Sequence, residues 1–213
     1  MLIEILVFDG VDELDAFGPM EVLRNAAAQG ADFTVRLVSA KSAEEMRGNH
    51  GLRFRVDGIM GSFGHAEILI VPGGGWVRHS AAGAWTEAQR GVIPSAIARA
   101  HKSGAIVASV CTGAMLLATA GLLRGRQAVT HKLAEKELRE VGAEVIAARI
   151  VDDGDIITSG GVSSGIDLGL YLVERFASPE LAEQGARYLE HERRGPVHVS
   201  SGPHRNAMGH SAR

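Results

Sequence analysis

Apolar residues in this chain come as short dense runs, and between them lie stretches with helical periodicity. Residues 33–39 read as a strand; residues 2–8, 67–71 and 105–109 are each too short for a helix that could stand alone, and too continuously apolar for a strand with one wet face. Those three read as strands buried on both sides. Helical periodicity predicts helices over residues 86–102, 112–120, 133–141, 163–176 and 179–190. A further helix runs through about residue 28 from Gly18-Pro19, where proline suits a first helical turn. The acidic segment 9–15 before it reads as a turn. Gly48-Asn49-His50-Gly51 marks a hairpin between two minor strands. Residues 127–130 are short and β-like, and 145–151 and 155–158 pair around the Asp152-Asp153-Gly154 turn.

Strands alternating with helices predict an α/β fold, a mainly parallel sheet with helices on both faces. Ligands of such sheets bind beyond the carboxyl ends of the strands. Residues 8–15, the glycine run 72–75, Cys111 and Gly160-Gly161 all follow strands, so all are expected on one rim. Residues 1–191 are read as one domain. Residues 192–213 lose periodicity, turn polar and rich in Gly, Ser and His, and read as a flexible or weakly docked tail. His191, His198, His204 and His210 are irregularly spaced and lack an acidic or cysteine companion, so no metal is expected.

The segment Val107-Ala108-Ser109-Val110-Cys111-Thr112-Gly113-Ala114 carries the most chemical information, because it runs a buried strand directly into an apolar helix with the only cysteine at the junction. A sharp strand-to-helix turn presents its middle side chain at the sheet rim, as in nucleophile elbows. Unpaired N–H groups at a helix N-terminus favour a thiolate, so a lowered pKa is expected for Cys111. The competing reading is a buried structural cysteine. Pro72-Gly73-Gly74-Gly75 lets backbone N–H groups approach a ligand closely, and with the Thr112 amide it forms a candidate oxyanion cradle. Alone, this run could equally be a tight turn; it is neither a dinucleotide fingerprint nor a P-loop. For proton transfer, Asp15 stands out among Asp9, Asp12, Glu13 and Asp15 because it precedes the apolar Ala16-Phe17, where partial burial would raise its pKa. Asp12 and Glu13 are placed in solvent. His131 is the other acid–base candidate, or else a helix cap. No histidine follows the cysteine, so the simplest cysteine-protease dyad is absent.

Composition narrows the partners. A formal net charge of -3 over 213 residues leaves no footprint for nucleic acid or anionic membrane. No apolar run approaches the ~18 residues of a membrane span, and one cysteine fits a reducing compartment. A cytoplasmic protein with a small-molecule substrate and no cofactor is expected.

In order, Leu14-Asp15-Ala16-Phe17-Gly18-Pro19, Val71-Pro72-Gly73-Gly74-Gly75, Ser109-Val110-Cys111-Thr112-Gly113-Ala114, Leu122-Leu123-Arg124-Gly125, Thr130-His131 and the stretch from Thr158 to Asp167 resemble the DJ-1/PfpI superfamily, over about residues 1 to 190. Within it the chain is similar to isocyanide hydratases and to amidotransferase-like input domains of AraC-type regulators. The resemblance implies a flavodoxin-like sandwich and a homodimer. It implies Cys111 as nucleophile, Asp15 as acid–base partner and Thr112 as supporting hydroxyl and amide. Gly74 would be a second backbone donor, with Gly73, His131 and Gly161 around the substrate. In the hydratases the thiolate attacks the isocyanide carbon, and the carboxyl group protonates the adduct and helps water resolve a thioimidate to an N-substituted formamide. Protease-type and many glyoxalase-type members have Glu where Asp15 stands or His where Thr112 stands. Lys132 replaces the Trp of the hydratases' Thr-His-Trp, which bears on the pocket's shape. The alternatives are a small amidase, a glyoxalase-like enzyme, or a stand-alone ligand-binding or redox-sensing domain.

Overall fold

The computed structural model describes residues 1–41 and 45–201. In chain order the elements are β1 (Leu2–Leu6), α1 (Glu13–Ala28), β2 (Thr34–Ser39), β3 (Glu45–Arg47), β4 (Arg53–Arg55), β5 (Gly58–Ile59), β6 (Ile68–Val71), α2 (Ala84–Arg90), α3 (Val92–Lys102), β7 (Ile106–Val110), α4 (Gly113–Thr119), β8 (Gln127–Ala128), a 3-10 turn (Lys132–Ala134), α5 (Glu135–Glu140), β9 (Glu144–Val145), β10 (Ile150–Asp152), β11 (Ile156–Ser159), α6 (Ser164–Phe176), α7 (Pro179–Tyr188) and β12 (Val197–Val199).

Eight strands form one sheet in the order β12-β10-β11-β7-β6-β1-β2-β5. Its pairs are parallel except β10 with β11, which fold back on each other around the predicted turn. Ile3, Ile5, Ile68, Leu69, Ile70 and Val107 are fully buried, which is why these runs are apolar without alternation. Helices α1, α6 and α7 pack together, as do α2, α3 and α4. Right-handed crossovers lead from β1 to β2 in one direction and from β6 to β7 in the other, so the two groups cover opposite faces. The fold is the flavodoxin-like α/β sandwich. Strand order reverses between β1 and β6, and there the ends of neighbouring strands splay apart to leave a crevice.

Four boundaries differ from the sequence reading. Helix α1 starts at Glu13, not at Gly18, so Asp15 lies in a helical first turn and Pro19 lies inside the helix. Acidic residues suit that first turn electrostatically. Gly91, in the left-handed region at φ 71°, divides the expected 86–102 helix into α2 and α3. Residues 144–145 form a separate strand that pairs with β8 and not with β11. Within the expected polar tail, Val197–Val199 adds a parallel edge strand to β10; His204 and His210 lie outside the described residues. The predicted hairpin is present, β3 pairing antiparallel with β4.

The sheet and the elbow meet at Gly113, where a Cβ would overlap the Val71 carbonyl oxygen. A backbone atom cannot yield as a flexible side chain does. Gly113→Ala is therefore expected to destabilise the fold by ~2 kcal/mol or more, read as a lower urea midpoint. An unchanged midpoint would show that β6 and α4 are not locked together here.

Candidate active site

Three strand ends meet beside the switch point. β1 leads into the loop before α1, β6 into the glycine run, and β7 into Cys111. Cys111 has φ 57°, a left-handed conformation that costs a non-glycine residue about 1–3 kcal/mol. The conformation is fixed by its backbone partners. The Cys111 N–H donates to the Gly160 carbonyl at 2.8 Å, and its own carbonyl accepts from the Thr130 hydroxyl at 2.9 Å. The side chain is thereby presented at the rim, as the elbow reading requires, although the residue is only 5% exposed.

Asp15 reaches the same point from α1 and is fully buried. Its Oδ2 accepts the Gly73 N–H at 2.9 Å, while Oδ1 is buried with no backbone or hydroxyl donor on it. No group, the Cys111 thiol included, donates a hydrogen bond to Oδ1 among the described residues. Burial, with the Asp12 charge adding to it, pushes the Asp15 pKa up to about 8 against the Gly73 N–H and the thiol, which favour the carboxylate. Burial also pushes the Cys111 thiol up to about 12, with the Asp15 and Asp12 charges in the same sense; the Val162 and Thr112 amides oppose them. The expected low-pKa thiolate is therefore not found. Helix α4 has only seven residues, and its dipole is outweighed by removal of the sulfur from water. Burial thus holds both groups toward their protonated forms, a thiol and a carboxylic acid.

Thr112 is buried, and its Oγ1 accepts the Gly74 N–H at 3.0 Å. The glycine run is thus not the open cradle that was expected. The Gly73 amide is engaged by Asp15 and the Gly74 amide by Thr112. The amides that act on the sulfur are those of Thr112 and Val162. Val162 carries no chemical side chain, and only its place after Gly160-Gly161 could have pointed to it. Gly161 sits behind His131, whose ring a Cβ there would meet at 2.8 Å. His131 caps the 3-10 turn, Nδ1 accepting the Leu133 N–H at 3.2 Å. The neutral ring then carries its proton on Nε2.

A cavity of about 310 Å³ opens above the sulfur, and Gly74, Thr112 and His131 line it. Trp76, Val77, Leu133 and Val162 supply apolar wall, and Asp12, Asn49, His50 and Arg78 supply polar groups. Trp76 donates to Glu137 at 2.8 Å and meets Trp85 edge-on, while His79 stacks on Trp85 with centroids 3.7 Å apart. The acids of the first loop are not merely solvated. Asp9 accepts the Arg47 N–H at 2.9 Å, and Glu13 accepts those of His50 and Leu52. They tie the β3–β4 hairpin to the site. Asp12 lines the cavity 3.6 Å from His50 Nε2. Asp12, Glu13 and His50 bring metal-capable atoms within 4.8 Å of one another, but the Glu13 oxygens already hold the hairpin. His191 pairs with Asp167 at 2.9 Å and His198 with Gln127 at 2.7 Å.

Residues 1–175 match the DJ-1/PfpI family. The chain belongs to this family. It is 32% identical over 191 residues to the isonitrile hydratase of Pseudomonas putida, covering 89% of this chain and 78% of that protein. It is 27% identical over 184 residues to the HTH-type transcriptional regulator CdhR of Pseudomonas aeruginosa, covering 84% of this chain and 52% of the regulator. A crystal structure of a ThiJ/PfpI family protein from Pseudomonas syringae superposes with a TM-score of 0.78 at 27% identity, covering 92% of this chain and 76% of that one. The DJ-1/PfpI fold thus carries both enzymes and regulators, and no helix among the described residues is long and apolar enough to cross a membrane.

The Asp15 shift has a stability signature. A carboxyl whose folded pKa is raised contributes least once ionised. The wild type should therefore lose stability as pH rises from the ordinary carboxylate value of 3.8 through about 8, and then level off. Asp15→Asn keeps the acceptor for Gly73 and cannot ionise, so across that window it should gain ~2–5 kcal/mol on the wild type. Urea unfolding at stepped pH reads this; parallel curves for the two proteins would refute the buried neutral carboxyl.

Proposed function

We propose that this chain hydrates an isonitrile (isocyanide) to an N-substituted formamide. The observation that carries the reading is a thiol at the wall of a partly apolar cavity, with the Asp15 carboxyl buried outside the cavity lining and held, like the thiol, toward its protonated form. An isonitrile carbon has a lone pair to take a proton and, once protonated, is open to a nucleophile. Asp15 gives its proton to that carbon, the Cys111 sulfur forms the C–S bond, and the thiol proton passes to Asp15. The product is a thioimidate, R–N=CH–S–Cys111. Asp15 then gives its proton to the nitrogen and takes one from water as the water adds to the same carbon; when the C–S bond breaks, Asp15 returns that proton to the sulfur and takes the one left on the new hydroxyl. R–NH–CHO leaves and the thiol is restored, so the atoms and protons balance over the cycle. The Thr112 and Val162 amides favour negative charge on sulfur as the S–H bond breaks. Similarity to the Pseudomonas putida hydratase supports the same reading.

The reading takes residues 1–191 as the acting domain, in a reducing cytoplasm, and the protein as a homodimer. Light scattering should give about twice the 22.5 kDa chain mass; a monomer would remove that part. Similarity to CdhR supports a second reading, binding without turnover.

With an aryl isonitrile followed by its absorbance, Cys111→Ala should be inactive. Asp15→Asn should lower kcat by ~10²-fold or more with little change in KM. Because the working form carries the proton on Asp15, the wild-type rate should fall as pH rises through about 8. Asp12→Asn removes a charge that holds this value up, so it should move the fall to lower pH. An Asp15→Asn enzyme at wild-type rate would sink the proton-transfer role. If no isonitrile is consumed while pocket ligands still shield Cys111 from alkylation, the binding reading replaces the catalytic one.

A further inference from the structure

Glu4 has no part in the site above, yet it is 1% exposed in the middle of β1. Both carboxyl oxygens share a single donor, the Gly61 N–H, at 3.1 and 3.3 Å. Its register neighbour on β2 is Arg36, which places its guanidinium over the Phe63 ring, 5.2 Å from the centroid. No cationic group among the described residues pairs with Glu4. A buried carboxyl with one neutral donor is an expensive arrangement, and burial raises its pKa.

Beside Glu4 lies a second cavity of about 190 Å³, which shares no lining residue with the one over Cys111. Ala96 and Ala100 of α3 offer only methyl groups along its wall, which leaves the space open. His65 and Arg99 also line it, and both are exposed. Arg99 makes no ion pair among the described residues. The cavity therefore has an acid in its buried part and the Arg99 cation toward solvent, beside the His65 ring. A simple cation would have to pass Arg99, and a simple anion would meet Glu4. A molecule carrying both charges meets both, and adds no net charge to the interior. The volume corresponds to about six waters of roughly 30 Å³ each, the scale of a compound with about six non-hydrogen atoms.

We propose that this cavity is a binding site for a small α-amino acid, with its ammonium group on Glu4 and its carboxylate toward Arg99 and His65. The ammonium supplies the counter-charge and the donors that Glu4 lacks, and Arg99 gains an acid partner. L-alanine is the probe, titrated into the full chain and followed by backbone amide NMR and calorimetry. Perturbations are expected at Gly61, Ala66 and Ala100, and Cys111→Ala should bind as the wild type does. Ethylamine and propionate, each carrying one of the two charges, should bind at least ~10-fold more weakly. Glu4→Gln should weaken alanine binding ~10-fold or more, and so should Arg99→Met, a rim change that leaves the sheet intact if Glu4→Gln disturbs it. No perturbation at Gly61 and Ala100 in tens of millimolar alanine would overturn the proposal. So would wild-type affinity in either variant, or ethylamine binding as tightly as alanine.

Discussion

The burial of the Asp15 carboxyl and the Cys111 thiol at one end of the sheet is the constraint around which the rim of this protein is built. Two ionisable groups removed from water stay affordable only when neutral or when each charge is met by a donor. Asp15 receives a single N–H, that of Gly73, and Cys111 the amides of Thr112 and Val162. Those donors come from three separate loops, after β6, after β7 and after β11. Each must arrive with its backbone in register. The left-handed Cys111 and the close approach of Gly113 to Val71 are the local consequences. Moving any one loop would leave a buried acid without its donor.

The same constraint explains why the glycine run is not an anion cradle. Its first two amides are bonded within the protein, one to the acid and one to the Thr112 hydroxyl. Both hold proton carriers in place and are not offered to a substrate. A site arranged in this way suits chemistry that starts from neutral partners and moves protons. It is less suited to chemistry that begins with a free thiolate attacking a carbonyl. That distinction is what favours an isonitrile over an amide in the proposed reading.

Much of this was legible in the chain. Runs such as 68–71 and 105–108 are apolar on every residue because both faces of the sheet are covered. Cys111 at the elbow and Asp15 as the acid with buried prospects were visible for the same reason, each sitting where an apolar segment begins. The start of α1 was not visible. Asp9 to Asp15 has the composition of a turn, and the acids belong to a helix only because its first turn favours them and because Asp9 and Glu13 hold a hairpin some 35 residues or more away in sequence. The thiol pKa was misjudged because the helix-terminus rule is local, whereas desolvation is set by everything packed around the sulfur. Val162 and β12 were missed since the first acts through its backbone and the second has only three residues.

Catalysis and sensing on one fold need not differ in the nucleophile. In the proposed cycle the thioimidate is released only if water reaches its carbon while Asp15 is free to take a proton. The cavity above Cys111 has polar groups on one side, Asp12, Asn49 and His50, and the Trp76, Val77 and Leu133 wall on the other. The polar side is where water can be held, and the apolar side is where a hydrocarbon substituent can lie without displacing it. Trp76 is fixed by Glu137 and by the Trp85 ring, so the apolar wall cannot easily collapse into the polar side. A binding domain needs only the thiol and the wall. A hydratase also needs the wet side kept open, and here that falls to the hairpin that Glu13 and Asp9 hold against the site.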